Sequence, residues 1–129
     1  METIFTKIIN GEIPAYKIAE NENFLAFLDV SPLVEGHTLV IPKKAMDKIF
    51  DIGTEEFKDL FGFAQTVAKK IEKVISCKRV GLAVVGLEVP HAHIHLIPLN
   101  KMDDMNFQND RLKFSDEEFK DTQNLIKNS

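Results

Sequence analysis

Three of the four histidines in this 129-residue chain stand at alternate positions, in His91-Ala92-His93-Ile94-His95-Leu96-Ile97. Side chains on a strand alternate between faces, so a strand here projects His91, His93 and His95 together and turns Ala92, Ile94 and Leu96 to the core. Alternate residues are roughly 6.5–7 Å apart along a strand. Packing does not explain three imidazoles so placed, because each ring needs partners for its nitrogens if it is buried. Three readings stand. The histidines are a solvated strand face, or they bind a metal, with His37 or a carboxylate completing the ligand set. Or they do phosphate chemistry, one imidazole attacking while its neighbours hold phosphate oxygens. Imidazole suits the last task, being a good neutral nucleophile near pH 7 and a donor when protonated.

The elements that must position these rings follow from periodicity and turn chemistry. Thr3 to Asn10 fits one or two helical turns, closed by Gly11 and Pro14. Tyr16–Glu20 and Phe24–Asp29 read as short strands parted by Asn21-Glu22-Asn23. Asp29-Val30-Ser31-Pro32 reads as a turn, since Pro32 cannot continue a ladder and Asp and Ser bond their own backbone. His37 to Pro42 is a β-branched, apolar strand. A long helix is predicted after Thr54 as N-cap, with Glu55 and Glu56 at the positive end of its dipole. Its apolar stripe is Phe57, Leu60, Phe61, Ala64, Val67, Ala68, Ile71 and Val74. Arg79–Gly86 and His91–Pro98 are the last two strands. Met102 to Asp110 reads as an irregular loop, and Ser115 with Glu118 makes a capping box for a final helix over Asp116–Lys127. The order implies an α+β domain whose antiparallel sheet carries a long helix on one face.

Composition bounds the rest. Hydrophobic residues make up 44% and charged residues 28%, as in ordinary globular chains, and the length suits one domain, 1–129. A net charge of −4 argues against a general nucleic-acid binder. Local histidines and backbone amides can still hold one phosphate. Cys77 is the only cysteine, which rules out an internal disulfide or a C-x-x-C zinc site. No signal peptide or membrane span is expected, and a reducing cytoplasm is the simplest location.

The run His91 to Ile97 matches His-φ-His-φ-His-φ-φ, with φ apolar, at every position, and so resembles the signature of the histidine triad family. Gly36-His37-Thr38-Leu39-Val40-Ile41-Pro42-Lys43 resembles a second block of that family, and Ile4 to Pro14 a first. The resemblance covers about residues 3–98 and is nearest to the nucleoside phosphoramidase branch; 99–129 is a C-terminal extension that no motif covers. It implies a five-stranded antiparallel sheet, and a hydrolase or transferase acting at the α-phosphate of a purine nucleotide. His93 would be the nucleophile, forming a nucleotidyl-histidine that water hydrolyses. Its Nδ1–H would be held by the backbone carbonyl of His91. His95 would contact phosphate oxygens and leaving group, with His37 near the same site. Asp29 matches a ribose-binding acid, although capping its own turn is the plain alternative. Ile4, Phe5, Ile8, Phe27, Val30 and Leu39 match an apolar base pocket, and each is also a plausible core residue. A homodimer is implied; no cofactor is.

Three departures from the family pattern bear on chemistry. Many bacterial members carry a zinc site, and Thr3, Thr6 and Ala45 stand where three of its ligands would be. The usual Gly-Gln-x-Val before the triad reads Gly86-Leu87-Glu88-Val89, with Glu88 where a serine is frequent. Glu88 either turns outward or, with a raised pKa, serves as general acid. A phosphate-binding asparagine is also missing near Val80. These changes leave room for a dinucleoside polyphosphate hydrolase or for a weakly active nucleotide-binding regulatory module, while the lost zinc positions count against a third alternative, a metalloprotein built on the three histidines. The lost ligands predict that the purified protein carries no stoichiometric zinc and that chelators leave its melting temperature unchanged. One zinc per chain by elemental analysis would refute this.

Overall fold

The computed structural model describes residues 2–129. In chain order its elements are α1 (Ile4–Ile9), β1 (Lys17–Glu20), β2 (Phe24–Leu28), β3 (Thr38–Pro42), α2 (Thr54–Val74), β4 (Arg79–Ala83), β5 (Ile94–Leu99) and α3 (Asp116–Lys127), with short 3-10 turns at Ile49–Asp51 and Met102–Met105. The five strands form one sheet in the order β1-β2-β3-β5-β4, every neighbouring pair antiparallel. This is the α+β arrangement expected from the sequence. No helix among the described residues is long and apolar enough to cross a membrane.

The helical stripe explains how α2 lies on the sheet. Leu60, Ala64, Val67 and Ile71, spaced three and four apart, are fully buried against Ala26, Val40, Ala92, Ile94 and Leu96. The opposite face of the sheet carries a second cluster, Phe5 and Ile8 of α1 with Leu25, Phe27, Leu39 and Ile41. β2 and β3 are therefore buried at every position, because alternate residues face different clusters. The C-terminal helix is tied to β1: Gln123 Nε2 donates to the Lys17 carbonyl, and Tyr16 stacks on Phe119 at 4.9 Å.

Beyond shifts of one residue at several strand ends, the caps and strand limits depart from expectation in three places. Thr54 is the first residue of α2 and not its cap; Gly53 takes the cap position, and no side chain bonds the helix end there. β4 stops at Ala83 instead of Gly86. β5 begins at Ile94 instead of His91, because β3 pairs with β5 only from Thr38↔Leu96 to Val40↔Ile94. Ahead of that point the amides go elsewhere: His91 N–H donates to Val89 O at 2.8 Å and Ala92 N–H to Met46 O at 2.6 Å. Both terminal helices have reciprocal caps, Thr3 with Thr6 and Ser115 with Glu118.

Ile94, with no exposed surface, sits between two histidines and belongs to the α2 side of the sheet. Ile94→Ala is expected to cost about 2–5 kcal/mol in chemical denaturation. A loss below about 1 kcal/mol would contradict the alternation that separates core from histidines.

Candidate active site

Backbone groups decide which nitrogen of each histidine carries a proton, since a carbonyl only accepts and an amide N–H only donates. The Nδ1–H of His93 donates to the His91 carbonyl at 2.7 Å. In the neutral ring this leaves Nε2 with a bare lone pair. His91 Nε2–H donates to the Pro42 carbonyl at 2.8 Å. Its Nδ1 is buried and has no partner among the described residues.

The Leu33 N–H donates to His37 Nδ1 at 3.0 Å, so the His37 proton lies on Nε2. That Nε2 is 2.9 Å from His95 Nδ1, which must accept. The proton of His95 is thereby driven to Nε2. A backbone amide thus sets the tautomer of His95 through His37. Gly36, with φ +89, makes the turn that leads into this strand, a conformation glycine adopts at little cost.

Burial is the main influence on the charge of these groups. It pushes His37 down to about 3, helped by the charges of His95 and Arg111. It pushes His95 down to about 4, helped by His93 and Arg111. His91 is lowered by burial, against the Pro42 hydrogen bond. His93 and His95 retain 6% and 7% of their surface, against 1% for His37 and none for His91, so the former pair is the accessible one. The two rings meet edge-on at 5.0 Å, and Phe5 stands edge-on to His93 at 5.0 Å.

Asp29 shows the plainer of its two expected behaviours, the cap of its own turn. Oδ1 accepts from Ser31 N–H at 2.8 Å, capping the turn, while Oδ2 lies 3.6 Å from His37 Nε2. Burial raises its pKa, opposed by the Ser31 amide and by the charges of Arg111 and His93. Phe5, Ile8, Phe27 and Leu39 are gathered in one buried cluster, whereas Ile4 and Val30 are 51% and 62% exposed. Glu88 is exposed and makes no hydrogen bond among the described residues, yet its charge adds to the rise at Asp29. The sequence reading did not find Phe107 and Arg111. The Phe107 ring stands edge-on to His95 at 4.9 Å, and Arg111 Nη1 donates to Ser31 O at 2.7 Å. No motif signals them; only the turn formers Asn106 and Asn109 mark their loop.

The residues present do not suit a zinc ion at the family position. The Thr3 and Thr6 hydroxyls are spent on the cap of α1, and Ala45 offers no donor atom, leaving the bare Nδ1 of His91 alone. Nor do the three alternating histidines bring three ligand nitrogens together among the described residues. Asp29, His37 and His95 bring three potential ligand atoms within 4.8 Å, but the two histidines among them are already bonded to each other.

Comparison with known proteins places this geometry. The HIT domain profile matches residues 10–102. An uncharacterized HIT-like protein of Borreliella burgdorferi is 34% identical over 128 residues, covering 93% of this chain and 92% of that one. Adenosine 5'-monophosphoramidase HNT1 of Saccharomyces cerevisiae is 41% identical over 97 residues, covering 74% of this chain and 61% of its own length. The crystal structure of a Hit-like protein from Bartonella henselae superposes with a TM-score of 0.85 at 27% identity, covering 98% of this chain and 95% of that one.

The histidine network predicts both tautomers and pH dependence. Nitrogen-15 NMR at neutral pH should find His37, His91 and His95 protonated on Nε2 and His93 on Nδ1. A proton on Nδ1 of His95 would contradict the relay from Leu33. In the unfolded chain His37 and His95 take protons near 6.5, but in the fold only near 3 and 4. Between those values the unfolded state holds more protons, so stability falls as pH drops below about 6.5 and levels off below the folded values. A melting temperature that rises on acidification through this window would contradict the burial of these rings.

Proposed function

This chain belongs to the HIT domain family, and from that premise we propose that it is a nucleotide hydrolase or transferase of the phosphoramidase kind. Its substrate would be a purine nucleotide with an amine or phosphate leaving group on the α-phosphorus. The observation that carries this reading is the His93 Nδ1–H bond to the His91 carbonyl, which leaves Nε2 free to attack. Attack forms a P–N bond to His93 and breaks the bond to the leaving group, which departs with its electron pair and gains a proton. Water then attacks the same phosphorus and gives up a proton to solvent, which balances the one the leaving group took from solvent, and His93 is released with the nucleoside monophosphate. His95, protonated on Nε2, supplies a hydrogen-bond donor to the phosphate oxygens and the departing atom. Asp29 would accept from the ribose hydroxyls, and the base would lie against the Phe5, Ile8, Phe27 and Leu39 cluster, with Ile4 and Val30 at its edge.

A homodimer suits the edge of the sheet. β4 has no partner on its outer side in this sheet, and a groove lined by Phe61, Gly62, Val80, Leu82 and Leu96 runs beside it, with Leu82 46% exposed. A second copy of this chain is the proposed occupant. A cytoplasmic location suits the free thiol of Cys77.

A second reading, a nucleotide-binding module with slow turnover, is favoured by one feature. Leu87 is 88% exposed and Glu88 is also exposed, so the loop before the triad offers no side-chain donor to a phosphate. Assays on an adenosine phosphoramidate beside a diadenosine polyphosphate separate the two activities from each other and from inactivity. His93→Ala is expected to abolish turnover while keeping nucleotide affinity within about tenfold, since it removes a group used mainly in the transition state. His95→Ala should lower the rate less. Near wild-type turnover by His93→Ala would overturn the mechanism.

A further inference from the structure

The C-terminal extension returns to the histidines. After β5 the chain makes a loop that is bonded to itself: Asn109 Nδ2 donates to the Asp103 carbonyl at 2.9 Å, and Asn106 Nδ2 to Asp103 Oδ1 at 3.1 Å. Beyond it, Leu112 N–H donates to Pro32 O at 2.8 Å and fastens the chain to the turn after Asp29. Between these fixed points stand Phe107, edge-on to His95 at 4.9 Å, and Arg111, whose guanidinium carbon is 5.8 Å from the centre of the Phe107 ring. Arg111 Nη1 donates to Ser31 O at 2.7 Å and lies 3.9 Å from Asp29 Oδ2. One of its five N–H groups is therefore used, and the others make no hydrogen bond among the described residues.

Charge balance gives this placement a purpose. A nucleotide phosphate beside Asp29 puts two anions in one small region, where reduced solvent raises their repulsion. His37 and His95 are held neutral by burial and do not offset it. Arg111 is the lysine or arginine whose charge acts on Asp29, His37 and His95 alike. The loop before the triad, with exposed Leu87 and Glu88, supplies no side-chain donor. We propose that Arg111, held by Ser31 and Phe107 on the C-terminal extension, is an anion-binding arm that recognises the phosphate of the bound nucleotide. The guanidinium is suited to this, since a planar fork with several free N–H groups binds phosphate through more than one hydrogen bond. Phe107 is a positioning residue: it touches both the cation and the ring of His95, and so holds Arg111 beside the accessible pair of histidines.

The inference rests on the nucleotide reading above, and the test separates the two. Adenosine and AMP are titrated calorimetrically into wild type, Arg111→Gln, Arg111→Lys and Phe107→Leu, with melting temperatures recorded for each. Arg111→Gln is expected to weaken AMP by about tenfold or more and adenosine by less than about threefold, because only AMP presents the charge that the arm meets. Arg111→Lys should keep part of the preference for AMP, and Phe107→Leu should fall between wild type and Arg111→Gln. Added salt should reduce the preference in wild type and barely alter it in Arg111→Gln. Equal losses for adenosine and AMP, or no loss of AMP affinity in an Arg111→Gln protein that melts like wild type, would overturn the arm. A wild type that binds neither ligand would overturn the nucleotide reading itself, and the arm with it.

Discussion

A carbonyl oxygen can only accept, and that of His91 lies 2.7 Å from Nδ1 of His93. From this contact follows the feature on which the proposed chemistry rests, an imidazole whose outer nitrogen has no proton in the neutral ring. The contact depends on where the sheet stops. β3 pairs with β5 as far as Ile94, and the segment just before it takes its backbone bonds from Val89 and Met46. The His91 carbonyl therefore stays out of the ladder and faces its own chain two residues on. Had the ladder run through His91, strand pairing and the ring of His93 would have competed for that oxygen.

The same economy governs the other rings. His37 and His95 are neutral because they are buried, and they tolerate burial because each nitrogen involved has a partner of fixed polarity. The chain from the Leu33 amide through His37 to Nε2 of His95 orients a donor without any charge. A site made of neutral rings has little positive charge of its own. This gives weight to Arg111, which enters from a segment outside the three family-like blocks and sits against Ser31 and Asp29. The apolar scaffold does the rest: α2 covers one face of the sheet, leaving the other to α1 and the histidines.

Much of this could be read from local pattern. The stripe from Leu60 to Ile71 sets a helix with one buried face, and the alternation of Ala92, Ile94 and Leu96 with the histidines sets which side is core. The Ser115 and Glu118 cap is visible as a four-residue signal. What escaped has no short-range trace. The early end of the β5 ladder is decided by Met46 and Val89, and a β-rich sequence alone does not tell where pairing gives way to a turn. Thr54 has the chemistry of a cap, but Gly53 already takes the non-helical cap conformation (φ −56, ψ 145), so Thr54 falls inside the helix. Arg111 meets Ser31 across 80 positions of sequence, and Phe107 meets His95 from an irregular loop, so neither belongs to any periodicity.

The central claim is that Nε2 of His93 becomes covalently bonded to the nucleotide. Rapid mixing of the protein with an adenosine phosphoramidate, quenching in denaturant at alkaline pH where a phosphorus–nitrogen bond to histidine survives, and mass analysis of the peptide spanning residues 91–97 tests it directly. The account predicts a peptide heavier by one nucleotidyl group, with the modification on His93, appearing before free nucleotide accumulates. Steady turnover with that peptide unmodified at every time point, or a nucleotidyl group carried by His91 or His95 instead, would contradict it.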